Sequence, residues 1–178
     1  FVLHDGCMED FPRHIGGAVR EALADTRVVV VQGARQVGKS TLVGKVAAEF
    51  DAATWLSLDD PGTLTVASDD PVFFVAQAGD RLMVVDEAQR APEIVLPLKA
   101  NVDRDRRPGR FLLTGSADLL TVKGAGDSLA GRAETIELLP LSQGEMASTA
   151  SAEDFVSWLL AGAPGHDFTA LDVDAVIT

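Results

Sequence analysis

Four consecutive valines, Val28–Val31, run through Gln32 into Gly33-Ala34-Arg35-Gln36-Val37-Gly38-Lys39-Ser40-Thr41, and no other feature restricts the fold as strongly. β-Branched side chains lose rotamer freedom in a helix and suit a pleated surface, so the valine run predicts a strand. Its lack of polar alternation predicts burial on both faces, as in a parallel sheet covered by helices. Beyond the glycines, Leu42, Val46 and Phe50 recur at a spacing of four, with Val43 and Ala47 beside them. That spacing predicts an amphipathic helix. The glycine-bearing segment is therefore a strand-to-helix turn.

This turn matches G-x-x-x-x-G-K-[ST], the Walker A pattern, in the structural context the pattern requires. Glycines at both ends let the backbone wrap around phosphate oxygens with its N–H groups turned inward. A helix starting near Lys39 adds its N-terminal dipole, which favours a negative triphosphate. Lys39 is then expected to neutralise the β and γ phosphates, and the Ser40 hydroxyl to coordinate magnesium. Gly33, Ala34, Arg35, Gln36, Val37, Gly38, Lys39, Ser40 and Thr41 are the candidate nucleotide-binding residues.

Further strands are predicted at Thr54–Leu58, Leu82–Val85, Phe111–Thr114 and Glu134–Leu139, with helices over Phe11–Ala24, from Asp70–Pro71 to Gly79, and over Ile94–Asp103. Asp59-Asp60-Pro61-Gly62 reads as a turn, Lys123–Arg132 as a mobile glycine-containing stretch, and Ser151–Gly162 as a helix with a Ser151/Asp154 capping box. Short apolar runs alternating with helical segments predict an α/β fold of three layers: a mainly parallel five-stranded sheet flanked by helices.

A second chemical signal ends the third strand. In Leu82-Met83-Val84-Val85-Asp86-Glu87 a buried run delivers two acids to the carboxyl edge of the sheet, where ligands bind in open α/β folds. Asp86 is expected to hold magnesium, directly or through water, and Glu87 to polarise the attacking water as general base. The fourth strand ends in Thr114-Gly115-Ser116, and either hydroxyl suits contact with the γ-phosphate or the lytic water. Arg132 follows Gly131 just before the fifth strand; reaching a γ-phosphate in its own subunit or a neighbour's, it would act as an arginine finger.

Composition narrows the rest. The 178 residues are 47% hydrophobic and 24% charged, which suits a single folded domain. No apolar run approaches the roughly 20 residues a membrane span needs. The first residues carry Asp5, Glu9 and Asp10 rather than a basic then apolar leader. A single cysteine, Cys7, allows no internal disulfide, and the expected location is cytoplasmic. His4, His14 and His166 lack metal-ligand spacing. A net charge of −12 disfavours nucleic-acid binding through this domain alone, and the Arg104, Arg106, Arg107 and Arg110 cluster reads as a solvated helix end and loop.

Taken together, GARQVGKSTL, VVDEAQRAP, FLLTGSADLL and SLAGRAETIELLPLSQGE resemble the prokaryotic AAA-superfamily ATPases that join an N-terminal P-loop domain to a C-terminal domain of unknown function. The resemblance runs from about Phe11 to Glu145. It implies an additional-strand, AAA-like sheet, with a strand inserted between the Walker A and Walker B strands. It further implies that Ser116 or Thr114 is the first sensor and that Arg132 belongs to a family signature. Residues 1–146 are then the ATPase domain, and 147–178 a helical segment leading toward the further domain.

The expected activity is magnesium-dependent ATP hydrolysis coupled to conformational change in an attached domain or partner, with assembly into a homo-oligomer open. The alternative is a nucleotide-dependent switch or scaffold with little turnover. A GTPase reading of Asp59–Gly62 lacks an N-K-x-D base-reading motif, and a small-molecule kinase would need an arginine-rich lid that is not evident.

Overall fold

The computed structural model describes residues 11–116 and 129–146. Cys7, His4, His166, Ser128, most of the Lys123–Arg132 stretch and the Ser151–Gly162 helix lie outside the described residues. The elements are α1 (Gly16–Asp25), β1 (Val28–Gln32), α2 (Lys39–Ala47), β2 (Thr54–Ser57), α3 (Pro61–Asp69), α4 (Pro71–Ala76), β3 (Met83–Asp86), α5 (Val95–Arg104), β4 (Phe111–Gly115), β5 (Ala133–Glu137) and α6 (Gln143–Met146). Two 3₁₀ turns, Ala88–Arg90 and Pro92–Ile94, lead from β3 into α5.

The valine run does become a central strand, and all four of its valines are fully buried. Its side chains still alternate, but between two cores. Val28 and Val30 join Met83, Val85, Phe111 and Leu113 beneath α3, α4 and α5. Val29 and Val31 join Val84 and Leu112 beneath α1 and α2. Burying each such side chain contributes roughly 1.5–3 kcal/mol. A period-two strand thus reads as an unbroken apolar run because both faces are covered.

Five parallel strands lie in the order β2-β3-β4-β1-β5. The strand between β1 and β3 is β4, so the inserted strand expected from the resemblance is present. The α/β three-layer fold is confirmed, and with it a common edge for the carboxyl ends of β1, β3 and β4.

Several boundaries differ from expectation, each for a local reason. Asp59–Gly62 is not simply a turn: Asp60 caps a helix, its carboxylate accepting from the Thr63 N–H at 2.7 Å, with Pro61 in the first helical position. Proline has no N–H to satisfy there and its fixed φ suits the helix. Asp70 and Pro71 repeat the device for α4, which stops at Ala76 before Gly79 turns the chain at φ +51°. Pro97 sits within the first turn of α5, where an N–H would have no intrahelical acceptor, and leaves the helix intact. Residues 11–15, predicted helical, precede α1 instead, where Arg13 and the His14 N–H bond to the distant Glu145 carboxylate. β5 begins one residue early and leaves the ladder after Glu137.

Candidate active site

The loop between β1 and α2 is shaped by three backbone requirements. A Cβ on Gly33 would sit 2.3 Å from the Leu138 carbonyl oxygen, so only glycine lets the chain leaving β5 cross here. Gln36 (φ +65°) and Gly38 (φ +92°) take left-handed conformations that reverse the loop and start α2. The Lys39 side chain, 5% exposed, curls over this loop, its Nζ donating to the Gly33 and Ala34 carbonyls at 3.0 and 2.9 Å.

Across the edge, β3 brings Asp86 to the loop. The Ser40 hydroxyl lies 2.9 and 3.1 Å from the two Asp86 carboxylate oxygens. The neighbouring strand supplies Thr114, fully buried, whose hydroxyl donates to Asp86 and accepts the Glu87 N–H at 3.0 Å. One threonine thereby fixes the side chain of the first acid and the backbone of the second. Glu87 itself is left-handed (φ +57°), which turns the chain sharply out of β3 into the 3₁₀ turn.

That turn places Gln89 back against the acids. Its amide donates to the Glu87 carboxylate and, at 3.2 Å, to the Ser116 hydroxyl. The buried Gln89 Oε1 has no hydrogen-bond partner. Arg90 pairs with Asp59 at the end of β2. Together Arg35, Gln36, Gly38, Lys39, Ser40, Thr41, Glu87 and Ser116 line a cavity of about 980 Å³, along with Asp59, Gln89 and Arg90.

The structure thus brings six of the nine Walker A residues, Glu87 and Ser116 to one cavity, with Asp86 joined to it through Ser40 and Gly33, Ala34 and Val37 outside its lining, and separates the two sensor candidates. Ser116 faces the cavity, whereas Thr114 is buried behind the acids.

Arg132 is not brought there. Its carbonyl accepts from the N–H of Val28, at the opposite end of β1 from the loop. The four steps of β1 alone span about 13 Å at 3.3 Å per residue. Its guanidinium instead grips Asp103 at 2.6 and 3.0 Å, and these hydrogen bonds hold the Asp103 carboxyl below its ordinary pKa. Of the placements left open for Arg132, the phosphates of its own subunit or of a neighbour, the fold sets it away from the first, because the parallel sheet puts the start of β5 and the end of β1 at opposite ends of the strands. The basic cluster is likewise internally neutralised in part, Arg107 and Arg110 both pairing with Asp105.

A family model described as an AAA domain matches residues 25–147. The chain belongs to this AAA family. The matched span of the AAA domain begins just before β1 and ends after α6, so it covers every element that shapes the cavity. The AAA domain is 38% identical over 169 residues to Uncharacterized protein Rv2008c of Mycobacterium tuberculosis and, to the same extent, to Uncharacterized protein Mb2031c of Mycobacterium bovis. These matches cover 92% of the chain but 36% of each relative, so the chain spans about a third of their length. Among solved structures, AMPPCP-bound DnaA from Aquifex aeolicus is similar at 14% identity and a TM-score of 0.49, over 70% of this chain and 44% of that one. The described helices of the AAA domain include none long and apolar enough to cross a membrane.

Sequence reasoning missed three participants in this AAA domain: Gln89, Arg13 and Glu145. Gln89 stands in the VVDEAQRAP stretch, two residues after Glu87, but without the left-handed turn nothing signals that it folds back. Arg13 and Glu145 lie 132 positions apart and meet only in three dimensions.

Proposed function

We propose that this AAA domain binds ATP in the Walker A cavity and hydrolyses it with magnesium. The observation that carries the reading is the Ser40–Asp86 contact beside the Lys39 ammonium and Glu87. Ser40 Oγ and the Asp86 carboxylate are hard oxygen donors of the kind magnesium prefers, so these residues fit the ion. When bound, the ion would neutralise charge developing on the phosphate oxygens. Lys39 would exchange its loop carbonyls for the β and γ phosphates, the loop N–H groups would bind phosphate oxygens, and Glu87 would accept the proton of the attacking water. Ser116 is the better sensor candidate because it faces the cavity, while Thr114 orients the two acids.

A second cavity of about 390 Å³ on the other side of Gly38 and Thr41 suits the nucleobase. Phe11, Val37, Leu42, Pro140 and Leu141 supply apolar walls for a flat ring, as small-molecule sites commonly do. Arg132, at the far edge, retains a finger role only toward the nucleotide of a neighbouring copy. Turnover would then require a homo-oligomer and would drive conformational change in a further domain or partner. A net charge of −12 argues against nucleic acid as a direct ligand of this domain, and a cytoplasmic site of action fits its lack of disulfide-forming cysteines.

Phosphate release from ATP and GTP with magnesium tests the reading, comparing wild type with Glu87→Gln and Lys39→Ala. ATP-selective turnover abolished by both changes, with Glu87→Gln still binding ATP, supports it. Binding without turnover in the wild type would favour a switch or scaffold, and no binding at all would overturn the assignment.

A further inference from the structure

We infer that Arg13 is a positioning residue for the phosphate loop, held in place by Glu145, which at the same time caps the helix that begins at residue 143.

The Arg13 side chain is 10% exposed and spends its guanidinium on three elements. Nη1 donates to the Val37 carbonyl at 2.6 Å, Nη2 to the Leu139 carbonyl at 2.5 Å, and Nε to Glu145 Oε1 at 3.1 Å. Val37 lies between the left-handed residues Gln36 and Gly38, at the tightest part of the loop. The peptide joining Val37 to Gly38 is planar and trans, so its N–H points opposite to its carbonyl. Fixing the Val37 carbonyl toward Arg13 therefore aims the Gly38 N–H away from Arg13. Gly38 lines both cavities, whereas Arg13 lines only the apolar one. Arg13 thus sets the direction of an amide donor at the phosphate cavity from behind, without touching the ligand's phosphates. A planar fork can span two carbonyls and a carboxylate; a lysine ammonium, a point charge on a flexible stem, cannot hold all three in fixed directions.

The other end of the link accounts for Ser142 and Glu145, to which the proposed activity gives no role. Glu145 Oε2 accepts the Ser142 N–H at 2.8 Å, while Ser142 Oγ accepts the Glu145 N–H at 3.2 Å. This is a capping box, in which each residue's side-chain oxygen accepts the other's orphan backbone N–H at a helix start. Its glutamate normally has one oxygen to spare. Here that oxygen, Oε1, takes Arg13 Nε and the His14 N–H at 2.9 Å. The carboxylate is 6% exposed with every contact a donor, so the helix cap and the phosphate loop share one buried ion pair. Loop conformation and helix capping are thereby coupled through Val37, Arg13 and Glu145.

The inference rests on the loop binding ATP, and the test separates the two. Magnesium-ATP affinity is titrated with wild type, Arg13→Lys and Glu145→Gln, and amide hydrogen exchange at Ser142 and Glu145 is followed with and without ATP. ATP is expected to slow exchange at these amides in the wild type. Arg13→Lys should weaken ATP binding by at least about tenfold, the size of a lost charge-assisted hydrogen bond, and abolish the slowing. Glu145→Gln, which keeps the shape and one acceptor, should show a smaller loss in the same direction and serves if Arg13→Lys does not fold. Variants that melt earlier yet bind ATP like the wild type would reduce Arg13 to a structural residue and overturn the inference. So would exchange indifferent to ATP in a wild type that binds it. A wild type that binds no ATP removes the phosphate-loop reading itself, and this inference with it.

Discussion

Ser40 and Asp86, 46 positions apart in the chain, meet with the serine hydroxyl 2.9 and 3.1 Å from the two carboxylate oxygens. Neither residue reaches the other through its own element; the sheet order does it, by setting β3 one strand away from β1 with β4 between. Asp86→Asn keeps the shape but removes the charge a divalent ion needs. Magnesium-stimulated ATP turnover should fall by at least about 100-fold, whereas the melting temperature without nucleotide should change little. Steady-state phosphate release across a magnesium titration checks this; a variant retaining wild-type magnesium dependence would remove Asp86 from the metal site.

Thr114 and Ser116 should separate cleanly. Thr114→Val leaves a buried carboxylate and the Glu87 N–H short of a partner, at a cost of about 1–3 kcal/mol in stability. Ser116→Ala, at the cavity wall, should leave the denaturation midpoint unchanged and lower turnover only. Chemical denaturation alongside ATPase assays reads both. The reverse pattern would exchange their roles.

Arg132 offers a complementation test. Its ion pair with Asp103 is partly open to solvent and screened by it, so Arg132→Ala should fold normally. If its guanidinium serves a neighbour's nucleotide, Arg132→Ala and Lys39→Ala are each inactive alone. Mixed, they should recover part of the turnover, since one supplies an intact loop and the other an intact arginine. No recovery at concentrations where the wild type is active would leave Arg132 a structural residue.

Acid should weaken the Arg13–Glu145 link in a defined window. Burial alone would raise the Glu145 pKa, but the Ser142 and His14 N–H groups and Arg13 hold it down at about 2. A carboxyl depressed in the folded state contributes stability that is complete above its unfolded value and is lost as pH falls toward the folded one. Glu145→Gln should therefore be less stable than the wild type at pH 6, with the gap closing between about pH 4.5 and 2. Thermal melts of both proteins over that range measure it, and a constant gap would deny Glu145 its charge.

Much of this was legible before any coordinates, because it follows from local chemistry. A β-branched run, a glycine-bracketed turn ending in Lys39-Ser40, and an apolar strand ending in Asp86-Glu87 each carry their meaning within a few residues. Backbone sterics and strand burial act over that same range, so the sequence alone determined the strands, the Walker A turn and the two acids. Its misreadings were also local. Asp60-Pro61 serves equally as a turn or a helix start, and packing of Ala67 and Leu64 against the core beneath α3 supports the helix.

Tertiary structure alone decided what depends on which elements are neighbours. The start of β5 and the end of β1 lie at opposite ends of paired parallel strands, so Arg132 stands away from the Walker A loop of its own subunit and pairs with Asp103. Thr114 and Ser116, two residues apart, face different surroundings because one lies within a buried strand and the other just beyond its end. Arg13 finds Val37, Leu139 and Glu145 only once β1 and β5 have paired and brought the segments that follow them together. A hydrogen bond between side chains distant in sequence leaves no periodicity or composition to read. It exists because folding has removed water from both partners and left each the other's best remaining contact.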